Sequence, residues 1–302
     1  MNIATILFVF NRPEHTKHVL QGLRENGITK LYVFIDAPRF KEEEVEVEKV
    51  KQLIQEIDWC ETEVECKTKN EGLAESIIKG VSSIFQKGYE GVIVLEDDCV
   101  PKKDFMNFMY QALNYYKDDS KVMHISGFGL PIKKYSDKDV YFTPYPCSWG
   151  WATWAKDWND CDFYNDSEYG KLLMDAERKK EFNYAGEAFA EFLEFQLKGK
   201  VNSWLIRWYF HIFSKKGRCV WSYRTLVNNK GFDGTGVHKN KIDRFNQRDS
   251  VDDESKVNFN FENDLKYNHK LIREFRRHFM GKSYKERLKT VLYLTTGVIV
   301  GK

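Results

Sequence analysis

Three adjacent carboxylates, Glu96, Asp97 and Asp98, follow directly on an apolar run at residues 92–95 (VIVL). The run is short, uncharged and mostly β-branched, which is the composition of a buried strand. Three acids at the end of such a strand repel one another, so something must offset their charge. A divalent cation does so well, because hard cations take oxygen ligands. In open α/β sheets the ligand crevice lies at the carboxyl ends of the strands. The competing reading is a solvated acidic turn with no ligand. Pro101 stops the run, and an amphipathic helix is predicted from Asp104 onward.

The elements that would position these acids can be read around them. Residues 5–10 (TILFVF) predict another buried strand. Asn11, Arg12, Pro13 and Glu14 then turn into a helix, with Pro13 in its first turn and Leu20 and Leu23 on its buried face. Residues 31–35 (LYVFI) predict a third strand, ending at Asp36. Arg12 and Asp36 thus stand at strand ends in one βαβ unit, and face a common crevice if the sheet is parallel. The first turn lacks a GxGxxG sequence, so no dinucleotide fingerprint is present. A charged helix over 41–57, a strand over 62–67, and a helix opening at Asn70 and Gly72 lead up to the carboxylate strand; a further strand follows over 122–126. This β-α-β-α-β-α-β order argues for an α/β fold, a mostly parallel sheet flanked by helices, over residues 1–130.

Residues 131–240 read as a second half of the same domain. Trp149, Trp151, Trp154 and Trp158 crowd into ten residues and either fill a core or line a site. Helical sequence over 164–199 carries Glu187 and Glu191, and residues 204–213 predict a buried helix. A glycine-rich stretch (Gly231, Gly234, Gly236) carries Asp233 and His238; such a loop can lie over a ligand or be only a turn. Residues 241–302 form a basic helical extension, with an amphipathic helix over 266–279 and a short apolar run near the end. That run is too short to span a bilayer. The 266–300 segment could instead lie in the interface of an anionic membrane, or dock on protein.

Composition bounds the remaining choices. Over 302 residues, 42% are apolar and 30% charged, so the chain is globular. A formal net charge of +2 makes no case for nucleic acid as a partner. The six cysteines, at 60, 66, 99, 147, 161 and 219, form no CxxC pair, and the first residues lack the charged start and cleavage site of a signal peptide. Reduced thiols and a cytoplasmic location are the expectation.

Taken in order, TILFVFNRPEH, Asp36, NEGLAESI, VLEDDCVP, SWGWATW, SWLIRW and NNKGFDGTGVH resemble the GT-A glycosyltransferases, and within them the N-acetylglucosaminyltransferase I type and its bacterial relatives. The resemblance covers most of the chain. It implies a Rossmann-like GT-A fold with a C-terminal aromatic and helical acceptor part. It also implies an inverting, metal-dependent hexosyl- or N-acetylhexosaminyltransferase. The sugar would pass from a UDP-sugar to a glycan or lipid-linked glycan, in bacterial surface polysaccharide synthesis, at a cytoplasmic site or on the inner face of the membrane. By position, Arg12 would contact the nucleotide phosphates, Asp36 the uracil, and Asn70 and Gly72 the nucleoside. Glu96 and Asp97 would meet the ribose and donor sugar. Asp98 would bind Mn2+ or Mg2+, with His238 as a second metal ligand. The family's catalytic Trp-Asp-Asp-Trp segment has its nearest match in Trp204-Leu205-Ile206-Arg207-Trp208, which holds no acid. An inverting transferase needs a general base; Asp233 is the first substitute, then Glu187 and Glu191. Two other functions compete: a sugar nucleotidyltransferase, and a carbohydrate-binding protein without turnover.

Overall fold

The computed structural model describes residues 1–234 and 255–279, together with Leu292. The first half alternates strands and helices: β1 (Ile3–Val9), α1 (Pro13–Glu25), β2 (Lys30–Ile35), α2 (Glu44–Gln55), β3 (Glu61–Cys66), α3 (Leu73–Gln86), β4 (Gly91–Glu96), β5 (Cys99–Pro101), α4 (Phe105–Tyr116) and β6 (Val122–Ser126). The second half adds β7 (Val140–Thr143), β8 (Trp151–Trp154), α5 (Ala155–Trp158), α6 (Asp166–Met174), α7 (Ala176–Phe182), α8 (Phe189–Leu197), α9 (Trp204–Ser214), β9 (Arg218–Ser222), β10 (Val227–Asn229) and α10 (His269–Phe279).

Eight strands form one sheet in the order β3-β2-β1-β4-β8-β6-β9-β7, and β5 pairs with β10 in a separate two-stranded ribbon. Six of the eight run one way; β8 and β7 run against them. The mostly parallel α/β architecture expected from the sequence is therefore the one observed. Both faces are covered, which is why the central strands read as unbroken apolar runs. Ile6 and Phe8 of β1 and Val92 and Val94 of β4 face α3 and α9. Leu7, Val9, Ile93 and Leu95 face α1, α2 and α4. The sequence of β3 is polar because it is an edge strand, guarded by glutamates and by the Lys30–Glu61 ion pair at 2.7 Å.

The tryptophans mainly fill the core. Trp151, Trp154 and Trp158 are at most 2% exposed, and Trp204 stacks on Trp151 with ring centroids 4.6 Å apart. His124 stacks on the other side of this group, accepts from Trp208 Nε1 at 3.2 Å, and is held neutral by burial, which brings its pKa down to about 3. Of the four tryptophans in the 149–158 block, Trp149 alone is only partly buried. Helix α10 buries Leu271, Ile272 and Phe275 against the body, so its apolar face is already used. No described helix is long and apolar enough to cross a membrane.

One buried acid sits uneasily in this frame. Asp157 of α5 is 8% exposed, its Oδ2 has no hydrogen-bond partner among the described residues, and burial pushes its pKa up to about 6. A carboxyl whose folded pKa lies above its unfolded value of about 3.9 destabilises the fold where it must ionise, and the penalty vanishes in acid. Asp157→Asn should therefore stabilise the protein at pH 8 by about 1–3 kcal/mol, with the gain gone by about pH 4. Thermal unfolding at the two pH values checks this. An equal effect at both would remove desolvation as the cause.

Candidate functional site

Register brings the polar residues together. β1 and β4 pair so that Phe8 lies opposite Glu96, and the chain beyond β1 reaches Arg12, the residue that caps α1 before Pro13. The Arg12 side chain crosses to the end of β4. It bonds Asp97 and places Nη1 3.0 Å from Asp98 Oδ2. Strand alternation puts Glu96, the last residue of β4, in phase with Val92 and Val94 on the α3 face, while Asp97 follows in the turn and is buried. Burial pushes the Asp97 carboxyl up, against the pull of Arg12. Burial, with Asp98 and Asp97 adding repulsion, pushes Glu96 well above the usual carboxylate range. Among the described residues the Glu96 carboxylate makes no hydrogen bond or ion pair. One guanidinium thus pairs with two of the three acids.

A second segment closes over Asp98. β10 pairs with β5, setting Asn229 opposite Cys99. Lys230 N then donates to the Asp98 carbonyl at 2.8 Å, and Gly231 N donates to Asn229 Oδ1 at 2.8 Å. A Cβ on Gly231 would press on Asp98 Oδ2, so any larger residue there has to displace the Asp98 carboxylate. Cys99 Sγ donates to Asp98 Oδ1 at 3.4 Å. Asp233, two residues on, lies with Oδ2 3.1 Å from His15 Nε2, which clips the loop to the first turn of α1. His15, Asn229 and Lys230 were not singled out by sequence reasoning, whereas Gly231 was, as part of the glycine-rich stretch. His15 had a signal: it follows Arg12 by three residues, the spacing that shares a helix face.

Asp36 holds the neighbouring corner. Its Oδ1 accepts from Ala37 N and Glu71 N, and its Oδ2 from Gly72 N and Ser76 Oγ, at 2.9–3.3 Å. Gly72 takes φ +79°, which turns the chain so that its N–H meets Asp36 as α3 begins. Asn70 Nδ2 donates to the Ala37 carbonyl at 2.6 Å. Every lone-pair direction of the Asp36 carboxylate is taken by its own chain.

Other expected residues lie elsewhere. Glu187 is exposed and pairs with Arg276 of α10 at 3.5 Å. Glu191 is on the solvent side of α8, whose buried face is Phe189, Ala190, Leu193 and Gln196. No hydrogen bond or ion pair among the described residues joins either to the triplet. Glu187 precedes α8, and on α8 Glu191 falls on the exposed face. His238 lies outside the described residues. Arg207 is a fixed core cation: Nη2 donates to Asn202 Oδ1 at 2.8 Å, Nη1 is 3.6 Å from Glu75, and the guanidinium lies over Tyr164. A hollow of about 610 Å³ lined by Tyr110, Tyr115, Phe259 and Phe261 is at α4 and includes none of the carboxylates.

The donor set can be tested against a divalent cation. Among the described residues, no three His, Cys, Asp or Glu side chains are grouped to enclose a metal. The oxygens at Asp98 and Glu96 are of the class that hard cations take, and Glu96 is unpaired. This arrangement fits a cation shared with a ligand's own oxygens, as Mg2+ sites commonly are, rather than a closed protein cage.

No protein-family model matches the chain, and no curated protein sequence matches it. Among solved structures, a mannosyltransferase from Pyrobaculum calidifontis in complex with GDP-Man and Mn2+ is similar at 13% identity, over 70% of this chain and 74% of that one, with a TM-score of 0.40. A mannose-1-phosphate geranyltransferase from Thermus thermophilus is similar at 13% identity, over 76% of each chain, with a TM-score of 0.33.

Removing the shared counterion tests the geometry directly. Arg12→Ala leaves buried acids without their cation and should cost about 2–4 kcal/mol of stability at pH 7. Urea denaturation measures it, and an unchanged midpoint would mean that Arg12 does not offset the triplet.

Proposed function

We propose that the strand-end site binds a nucleoside diphosphate sugar and transfers its sugar to an acceptor hydroxyl, with inversion. The observation that carries this reading is Arg12 bridging Asp97 and Asp98 beside an unpaired Glu96. At full ionisation, three acids and one guanidinium leave an excess of two negative charges, the charge of one divalent cation. A diphosphate has the complementary need, since it is held by guanidinium and metal together. Arg12 is then the group that leaves Asp98 for the phosphates as donor and cation arrive. Asp98, with Glu96 and Asp97 close by, would hold Mn2+ or Mg2+. When bound, the cation stabilises charge on the departing diphosphate.

The donor in this reading is a UDP-sugar. Its base lies by the 70–72 turn, where it meets backbone that Asp36 holds in place, with Asp36 acting as a positioning residue. Asp233 is the general base. It takes the proton of the acceptor hydroxyl as that oxygen bonds to the anomeric carbon and the bond to the diphosphate breaks. His15 orients the Asp233 carboxylate. The acceptor is a glycan or lipid-linked saccharide of a bacterial surface polysaccharide. Trp149 and Phe232, 5.7 Å apart between ring centroids, offer ring faces for a sugar.

Calorimetric titration with UDP, GDP and a panel of UDP-sugars, with and without Mn2+, tests the proposal. UDP should bind only with the metal, and one UDP-sugar should be slowly hydrolysed. Asp98→Ala should weaken metal-dependent binding at least about tenfold. Asp233→Asn should keep UDP binding and lower transfer by roughly 10²–10⁴-fold. No UDP binding in either condition overturns the reading. Pyrophosphate release from UTP and a sugar phosphate would replace it with nucleotidyl transfer, and glycan binding without nucleotide would replace it with a non-enzymatic role.

A further inference from the structure

We propose that the outer face of α10 and the 131–135 loop form one docking surface for the anionic headgroups of a membrane. The inference is independent of which donor the strand-end site takes. Helix α10 divides cleanly. Leu271, Ile272 and Phe275 are buried in the body, with Phe275 edge-on to Trp221 at 5.0 Å. Arg276 turns inward to the carbonyls of Asn183 and Tyr184. Glu274 also turns inward, accepting from Lys133 N at 3.1 Å and from Tyr135 Oη at 2.9 Å. The Lys and Arg residues of α10 left outside are Lys270, Arg273 and Arg277, all exposed. Spacings of three and four put them on one stripe. The Glu274 contacts bring exposed Lys133 and Lys134 alongside, and Arg277 is close enough to act on the Tyr135 hydroxyl. Two elements far apart in sequence thus build one cationic face.

Charge along the chain points the same way. Residues 266–302 hold ten Lys and Arg against two Asp and Glu, an excess of +8; the whole chain is only +2, so residues 1–265 carry −6. An acidic body with one basic end is turned by an anionic surface, basic end first. The sequence selects lipid over nucleic acid as the occupant. Beyond α10 come four more Lys or Arg over 282–289 and then an apolar run over 291–300 broken only by threonines and Gly297. A lipid interface uses both charge and apolar side chains, whereas a phosphate backbone uses only the charge. Because the apolar side of α10 is already packed on the body, α10 contributes electrostatics alone. Through Lys133 and Tyr135 the helix is tied to the chain that follows β6, on the sheet edge where the carboxylates stand. Docking would therefore present that edge to an acceptor held at the membrane.

The test is co-sedimentation of the full-length protein with phosphatidylcholine vesicles carrying 30% phosphatidylglycerol, against pure phosphatidylcholine, at low and high salt. Binding should need the anionic lipid and weaken steeply in salt. Lys270→Glu, Arg273→Glu and Arg277→Glu together should lower partitioning by well over tenfold, at about fivefold or more per charge. Lys133→Glu with Lys134→Glu, which leaves the helix untouched, should lower it separately. Either set binding like the parent, equal binding to both vesicles, or tighter binding to duplex DNA than to anionic vesicles would overturn the proposal.

Discussion

The geometry at the strand ends depends on one electrostatic constraint, three carboxylates at the end of a buried strand facing a single guanidinium. β4 must be apolar to sit in the middle of the sheet, and it ends where its neighbours end, so its polar residues emerge into one narrow region. Arg12 reaches them only because β1 is parallel to β4 and in register with it, and because Pro13 starts α1 immediately afterward. The 229–233 loop is bound by the same geometry. It passes Asp98 at glycine distance and is fastened to α1 by His15 and Asp233. Moving β1 by one residue would turn Arg12 to the other face and leave the acids without their counterion.

Alternation then gives the adjacent acids different surroundings. Asp97, in the turn after β4, is buried and paired with Arg12, while Glu96 is in phase with the α3-facing residues of β4 and has no partner among the described residues. The tryptophan core beneath the α3 face supports this difference. Its rings fill the volume between the sheet and α9, so β8, which begins beside the end of β4, is held rigidly. The aromatic block therefore acts on the site mostly as a foundation, with Trp149 as its one partly open ring.

The sequence made much of this legible, for identifiable reasons. Unbroken apolar runs marked β1, β2 and β4 because parallel strands covered on both faces leave no room for polar residues. Arg12, Asp36 and the triplet were found together because each stands directly after such a run. Where sequence reasoning stopped short, the information was tertiary. Whether Trp151 and Trp158 lined a site or filled a core depended on α9 stacking against them, which no local pattern encodes. That Glu187 would pair with Arg276 of α10 was likewise beyond any local pattern. Asp36 was visible as a strand-end acid, yet its four donors come from its own turn, from residues 71 and 72, and from α3, and only the fold unites them.

The fully satisfied Asp36 and the unsatisfied Glu96 differ in what each can do for a ligand. A carboxylate with four donors has no capacity left, so it fixes the backbone around it and gains nothing from a new partner. A half-buried carboxylate with no partner among the described residues keeps its acceptor sites open, so a cation or a donor on a ligand can take them. The strand-end site thus separates a rigid corner at Asp36 from a responsive one at Glu96 and Asp98, with Arg12 as the movable charge between its acids and an incoming anion. A nucleoside diphosphate with a divalent cation matches that division. Its base needs a preformed surface, and its charged end needs groups whose partners can be exchanged.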